Sequence, residues 1–191
     1  MTSRREAILR AAAAAIAERG VRGLRVGDVA QVAGVSPGLL YYYFKDRDGL
    51  LAAALTFIND RSRRYRKAAG DSGAPREQLI GQLLAELEET PEMVENSMAW
   101  NELRASAVYE QPLREPLTRT SRQWTHEIAD AIRVAQAVGD VSSAVDALQV
   151  GLIITALTEG LAARWLGGEL AAEVARAHLR GAVETLLPTS G

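Results

Sequence analysis

The 191-residue sequence predicts an all-α protein, on three observations. Apolar residues recur at spacings of three and four along most of the chain. The breaks between those stretches carry glycine, proline or a capping Ser or Asp, and alternating β-branched runs bounded by hairpin turns are missing.

Ile8, Ala11, Ala12, Ala15 and Ile16 make the stripe of a first helix over about 3–19, with Ser3 as N-cap and Gly20 ending it. Residues 26–33 read as a short second helix, with Val29, Ala30 and Ala33 inward, broken by Gly34. Ser36 is a good N-cap, and Pro37 suits the first helical position, where its missing N–H costs nothing, so a third short helix runs to about Phe44. Asp46 caps a fourth, with Leu50, Leu51, Ala54, Leu55 and Ile58 as its stripe. Its end is strongly basic (Arg61, Arg63, Arg64, Arg66, Lys67) and reads as a solvated helix terminus, which cations suit. Further helices are expected at about 76–89, 92–108, 113–137, 142–166 and 169–187, with Pro116 in the first turn of the segment beginning at 113.

The net charge of -2 conceals an asymmetry. Residues 1–67 hold 13 Lys+Arg against 6 Asp+Glu, whereas residues 68–191 hold 9 against 18. The sign changes at the linker candidate AGDSGAP, residues 69–75, which sets the expected domains at 1–67 and 68–191. A basic N-terminal third suggests a polyanionic partner for that segment.

Several classes are excluded. With no cysteine there is no disulfide framework and no thiolate metal site, which fits a reducing cytoplasm. The alanine-rich start is interrupted by Glu6, Glu18 and Arg19, and the apolar run 150–157 falls short of the ~20 residues a membrane span needs. The expectation is a soluble, cytoplasmic protein with no membrane partner. Without metal-spaced His or carboxylates, a phosphate-cradling glycine loop or a nucleophile–base pair, neither an enzyme nor a cofactor is expected. His126 beside Glu127 makes no acid–base pair, because adjacent helical residues do not face each other.

Residues 26–45 fit a helix-turn-helix: a short helix, a turn with Gly34, and a second helix whose exposed side enters the major groove. At 100° per residue, Pro37, Gly38, Tyr41, Tyr42 and Lys45 share one arc of about 140°, with Leu40, Tyr43 and Phe44 opposite. Tyr43, Leu40 and Phe44 are therefore expected in the core. Tyr41 and Tyr42 face outward, where their hydroxyls can donate to phosphate oxygens. Gly38 lets the backbone approach base edges, and Leu39 at the rim can touch a thymine methyl. Arg4 and Arg5 are placed to lie near a backbone phosphate.

The stretches REAILRAAAAAIAERG and VGDVAQVAGVSPGLLYYYFKDRDGLL resemble the DNA-binding domain of the tetracycline-repressor (TetR) family, in its pattern of I-A, A-G-V-S, G-x-L-Y, Y-F and a downstream L-L. The resemblance implies a ligand-responsive transcriptional regulator, usually a repressor, that binds a palindromic DNA operator as a homodimer and is released by a small molecule. On matching positions the DNA contacts are Ser36, Pro37, Gly38, Leu39, Tyr41, Tyr42 and Lys45. Leu24 and Arg25 stand where the family often has Thr or Ser; Arg25 can still reach a phosphate by charge. Pro37 and Leu39 replace more usual polar residues.

The resemblance also implies a C-terminal helical ligand-binding and dimerisation domain. In that family helices four to seven of the chain enclose an effector cavity, and the last two helices pair with their copies. The segment 142–166 is apolar around much of its circumference, which favours that pairing over a central core helix. Met98, Trp100, Tyr109, Trp124, His126 and Trp165 are the candidate effector contacts, for an effector of unknown identity; His178 reads as surface. The alternative is an all-α ligand-binding or adaptor protein without sequence-specific DNA binding.

Overall fold

The computed structural model describes residues 3–69 and 73–189, so positions 70–72 of the linker candidate lie outside the described residues. Among the described residues there are nine α-helices and no strand. They are α1 (Arg4–Gly23), α2 (Val26–Val32), α3 (Pro37–Phe44), α4 (Arg47–Ala69), α5 (Pro75–Leu84), α6 (Pro91–Ser106), α7 (Gln111–Ala137), α8 (Ala147–Leu166) and α9 (Ala172–Leu186), with a 3-10 turn at Ala85–Leu87.

Packing divides the chain into two compact units, Met1–Arg61 with Val94–Thr120, and Ser62–Met93 with Ser121–Gly191. Helices α4, α6 and α7 each contribute to both. Residues 94–120 are thus grouped with the N-terminal segment, a grouping that the charge balance does not carry.

The first unit is built on Ile8, Ala12 and Ile16 of α1, Val29 and Ala30 of α2, Leu40 and Phe44 of α3, Leu50, Leu51, Leu55 and Ile58 of α4, and Ala99 and Leu103 of α6. Ser3 caps α1 through its Oγ, which accepts the Glu6 amide at 3.1 Å. Gly20 does not end α1 but kinks it, at φ 73° and ψ 170°, and one further turn follows. The kink frees the Val21 amide, which donates to Glu102 Oε1 of α6 at 2.9 Å. Arg47, at the start of α4, donates to the Val21 carbonyl at 2.7 Å and to Glu110 at 3.3 Å. These bonds tie α1 to α4 and α6 within the unit.

The second unit packs Leu79, Ile80 and Leu83 of α5 against Ile128 and Ile132 of α7, Ile154 of α8, and Leu179 and Val183 of α9. Its α8 begins at 147 rather than 142, because Asp146 Oδ1 accepts both the Leu148 and Gln149 amides at 3.0 Å and so fixes the first turn. By length and composition α8 could cross a membrane, where the sequence offered only the 150–157 run; seven of its 20 residues are nonetheless buried in the protein.

Two expectations need correction. Pro116 lies inside α7, not in its first turn, so the Pro112 carbonyl lacks its usual helical donor while the helix continues. The basic end of α4 is not simply solvated, since the Arg61 and Arg66 side chains are only 8% and 7% exposed. Arg61 pairs with Glu95 at 2.8 Å, and its guanidinium lies over Phe57. Arg66 pairs with Glu86 at 2.5 Å and Glu127 at 3.4 Å, with its guanidinium 5.1 Å from the centre of the Trp124 ring. Long apolar stems bury readily when the charged heads meet carboxylates.

Candidate nucleic-acid interface

The turn between α2 and α3 is set by backbone bonds. Gly34 has φ 66°, the left-handed conformation in which a Cβ is strained. Around it the Val35 amide donates to the Ala30 carbonyl at 3.0 Å and the Gly34 amide to that of Gln31 at 3.1 Å, the paired bonds of a Schellman ending. Ser36 then caps α3: its Oγ accepts the Leu39 amide at 3.2 Å, and its hydroxyl hydrogen can still be donated outward.

Only Leu40 and Phe44 of α3 are buried, and they join the core formed by α1, α2 and α4. Pro37, Gly38, Tyr41 and Tyr42 are exposed, Leu39 is half-buried, and Lys45, just past the helix, is exposed. Tyr42 is 81% exposed, so its hydroxyl stands well clear of the surface. The arc read from the sequence is therefore a real face, with one correction. Tyr43 is 38% exposed rather than core. An eight-residue helix buries only the ridge through 40 and 44, and Tyr43 lies beside that ridge, its ring 5.6 Å from Tyr42 in an edge-on arrangement and 6.1 Å from Phe44.

Two further cations lie at or beside the helix-turn-helix. Arg25 is exposed at the start of α2, where its side chain makes no cap bond. Arg5 reaches from α1 to place its guanidinium 5.5 Å from the centre of the Phe44 ring, beside the end of α3. Together the face offers hydroxyls, cations and a bare glycine backbone, with no carboxylate among its named members. Phosphate oxygens are what such donors suit. The sequence did not show the backbone of Lys45, the single non-glycine residue with positive φ among those described, at 63°; lysine carries no signal for it.

The candidate effector residues are divided between the two units, three in each. In the first unit Trp100 packs against the core, whereas Met98 and Tyr109 are exposed, Tyr109 to 80%. In the second unit Trp124 is buried, its Nε1 has no hydrogen-bond partner, and Arg66 covers its ring; Trp165 packs partly buried against the core, and His126 is exposed. Met98, Tyr109 and His126 are therefore surface residues of this chain. Thr125 and Thr155 add an interior hydroxyl contact at 3.4 Å between α7 and α8.

Comparison with known proteins places both parts of the chain. Residues 8–54 match the model of bacterial regulatory proteins of the tetR family, and residues 75–188 match that of the BetI-type transcriptional repressor C-terminal region. The chain is similar to the HTH-type transcriptional regulator BetI of Burkholderia thailandensis, with 31% identity over 88% of this chain and 83% of the relative. A crystal structure from Rhodococcus sp., described as a TetR-family transcriptional regulator, is 58% identical, with a TM-score of 0.92 over 98% of this chain and all of that one. A transcriptional regulator from Saccharomonospora viridis, crystallised with choline, shares the fold at a TM-score of 0.79 and 24% identity, over 96% of each chain.

Proposed function

Because the chain belongs to the TetR family of transcriptional regulators, with a C-terminal region of the BetI repressor type, we propose that it represses transcription by docking two copies of α3 on a palindromic operator. The observation that carries this reading is the exposed face of Pro37, Gly38, Tyr41, Tyr42 and Lys45, braced from behind by Leu40 and Phe44. Ser36, Tyr41, Tyr42, Lys45 and Arg25 hold the phosphates, while Gly38 and Leu39 approach the bases. Few hydrogen-bonding side chains reach base edges, so much of the sequence selectivity comes from the shape and deformability of the duplex.

The second copy pairs through α8 and α9. Leu148, Leu152 and Ile153 are exposed along one stripe of α8, followed by Ala156 and Gly160. A Cβ placed on Gly160 or on Gly181 of α9 would meet nothing within 4 Å, so these small positions leave room for another backbone. An apolar stripe of this kind is what an isologous interface buries. Effector binding in the C-terminal region then alters the spacing of the two recognition helices, which must sit about one turn of B-DNA, roughly 34–36 Å, apart. Operator binding is a cytoplasmic task and calls for no enzymatic activity.

The test is selection of bound fragments from random duplex DNA, followed by affinity measurements across salt concentrations. Several phosphate contacts predict a steep loss of affinity as salt rises. No selected duplex, or salt-independent binding, would favour an adaptor protein instead. Choline and other small quaternary ammonium compounds are the first probes for release, since the regulator from Saccharomonospora viridis was crystallised with choline.

A further inference from the structure

A guanidinium, an indole and two carboxylates meet inside the second unit. Trp124 and Glu127 stand three positions apart on α7 and so share a helix face. Arg66 reaches them from the end of α4, and Glu86 comes from the 3-10 turn Ala85–Leu87. The Arg66 guanidinium lies over the Trp124 ring, 5.1 Å from its centre. Its two terminal nitrogens donate separately, one to Glu86 at 2.5 Å and the other to Glu127 at 3.4 Å. Glu127 meets a second cation, Arg63, 2.9 Å from its other oxygen. Glu86 is nearly buried, and its second oxygen takes a long bond of 3.4 Å from the Ser62 hydroxyl.

Trp124 is buried, yet its Nε1 finds no hydrogen-bond partner. A phenylalanine would fill space there without stranding a donor, which costs stability when buried. What indole offers over a phenyl ring is a stronger attraction for a cation on its face. An aromatic face bounded by carboxylates is also the chemistry that recognises a quaternary ammonium ion, whose nitrogen makes no hydrogen bonds of its own. We propose that Trp124, Glu86 and Glu127 form a seat for a small quaternary ammonium ion and that Arg66 keeps it filled from within, which makes Arg66 the residue that closes this seat to choline-like ligands. The tethered guanidinium meets both carboxylates, so a free cation has to dislodge a buried, doubly paired charge before it can enter. On the effector-release reading above, on which this consequence rests, choline then fails to lift the parent protein from its operator.

Replacing the tethered cation by a free one tests the assignment. Arg66→Ala removes the guanidinium and vacates the face of Trp124. Choline should bind this variant and raise its melting temperature by roughly 3–6 °C at about tenfold excess over Kd, while the parent shows no shift at the same concentration. If Arg66→Ala is unfolded alone, choline should restore its helical circular dichroism, because a ligand that binds only the folded state draws the equilibrium toward it. Dimethylbutanol, the uncharged isostere of choline, should do neither. Arg66→Lys, which keeps a cation in the seat, should stay as indifferent to choline as the parent. The proposal is overturned if the parent or Arg66→Lys responds to choline as strongly as Arg66→Ala, if choline gives Arg66→Ala neither stability nor helix, or if dimethylbutanol serves equally well. None of these measurements uses DNA, so a parent protein that selects no duplex overturns the regulatory reading and leaves the seat to be decided by melting.

Discussion

Gly38 sits in the first turn of α3 without positive φ, and a Cβ there would meet only Ser36 Oγ, at 3.9 Å. Nothing in the protein's own packing asks for glycine, which costs an exposed helix about 1 kcal/mol against alanine. Gly38→Ala should therefore raise stability to urea by about 0.5–1 kcal/mol, while operator affinity falls as the added methyl meets the duplex; unchanged affinity would show that the backbone does not approach DNA there. Tyr42→Phe should leave stability within about 0.5 kcal/mol and weaken binding modestly and evenly across sequences. A change in sequence preference alone would contradict a phosphate role. Gly34 is the opposite case to Gly38: a Cβ has room, but the backbone is left-handed, so Gly34→Ala should cost about 1–2 kcal/mol in denaturant melts. At this scale the sequence was legible where chemistry is local. Ser36, Pro37 and Gly34 do what capping and turn rules require of them. Tyr43 was not, because an angle on a helical wheel says which way a side chain points and not how far the neighbouring elements extend to cover it.

Helix α4 shows the limit of reading an element alone. Its basic end obeys the rule for helix C-termini, yet the partners of Arg61 and Arg66 are Glu95, Glu86 and Glu127, which lie 20 to 61 positions away in sequence. Pairings at that range leave no local signature. Arg66→Ala should strand the nearly buried Glu86 carboxylate and cost roughly 3–5 kcal/mol in urea unfolding; a loss under 1 kcal/mol would mean that water reaches the pair. The start of α8 is the converse. Asp146 is a cap visible in the sequence, but the apolar pattern runs through it from 142, and periodicity alone cannot choose the first turn. The kink at Gly20 was legible as a break but not as a joint, because the acceptor of the freed amide, Glu102, comes from α6.

Across the whole molecule, the charge imbalance pointed toward DNA but overstates the charge that DNA can meet. Arg47, Arg61, Arg63 and Arg66 of the basic N-terminal third are matched by carboxylates from residues 86–127. The salt dependence of operator binding should accordingly reflect the few cations at or beside the helix-turn-helix, chiefly Arg5, Arg25 and Lys45, and not the full excess. The bare stripe of α8 gives the matching prediction for assembly. Leu152→Glu should retain helix content, because residue 152 is 59% exposed within one chain, while sedimentation shifts from dimer to monomer and operator affinity collapses. On the proposed pairing through Leu152 and Ile153, scarcity is amplified: halving the supply of subunits leaves about a quarter of the paired molecules when most are single. Transcription would then escape abruptly as synthesis of the chain declines, giving the promoter a threshold that a one-headed binder could not set.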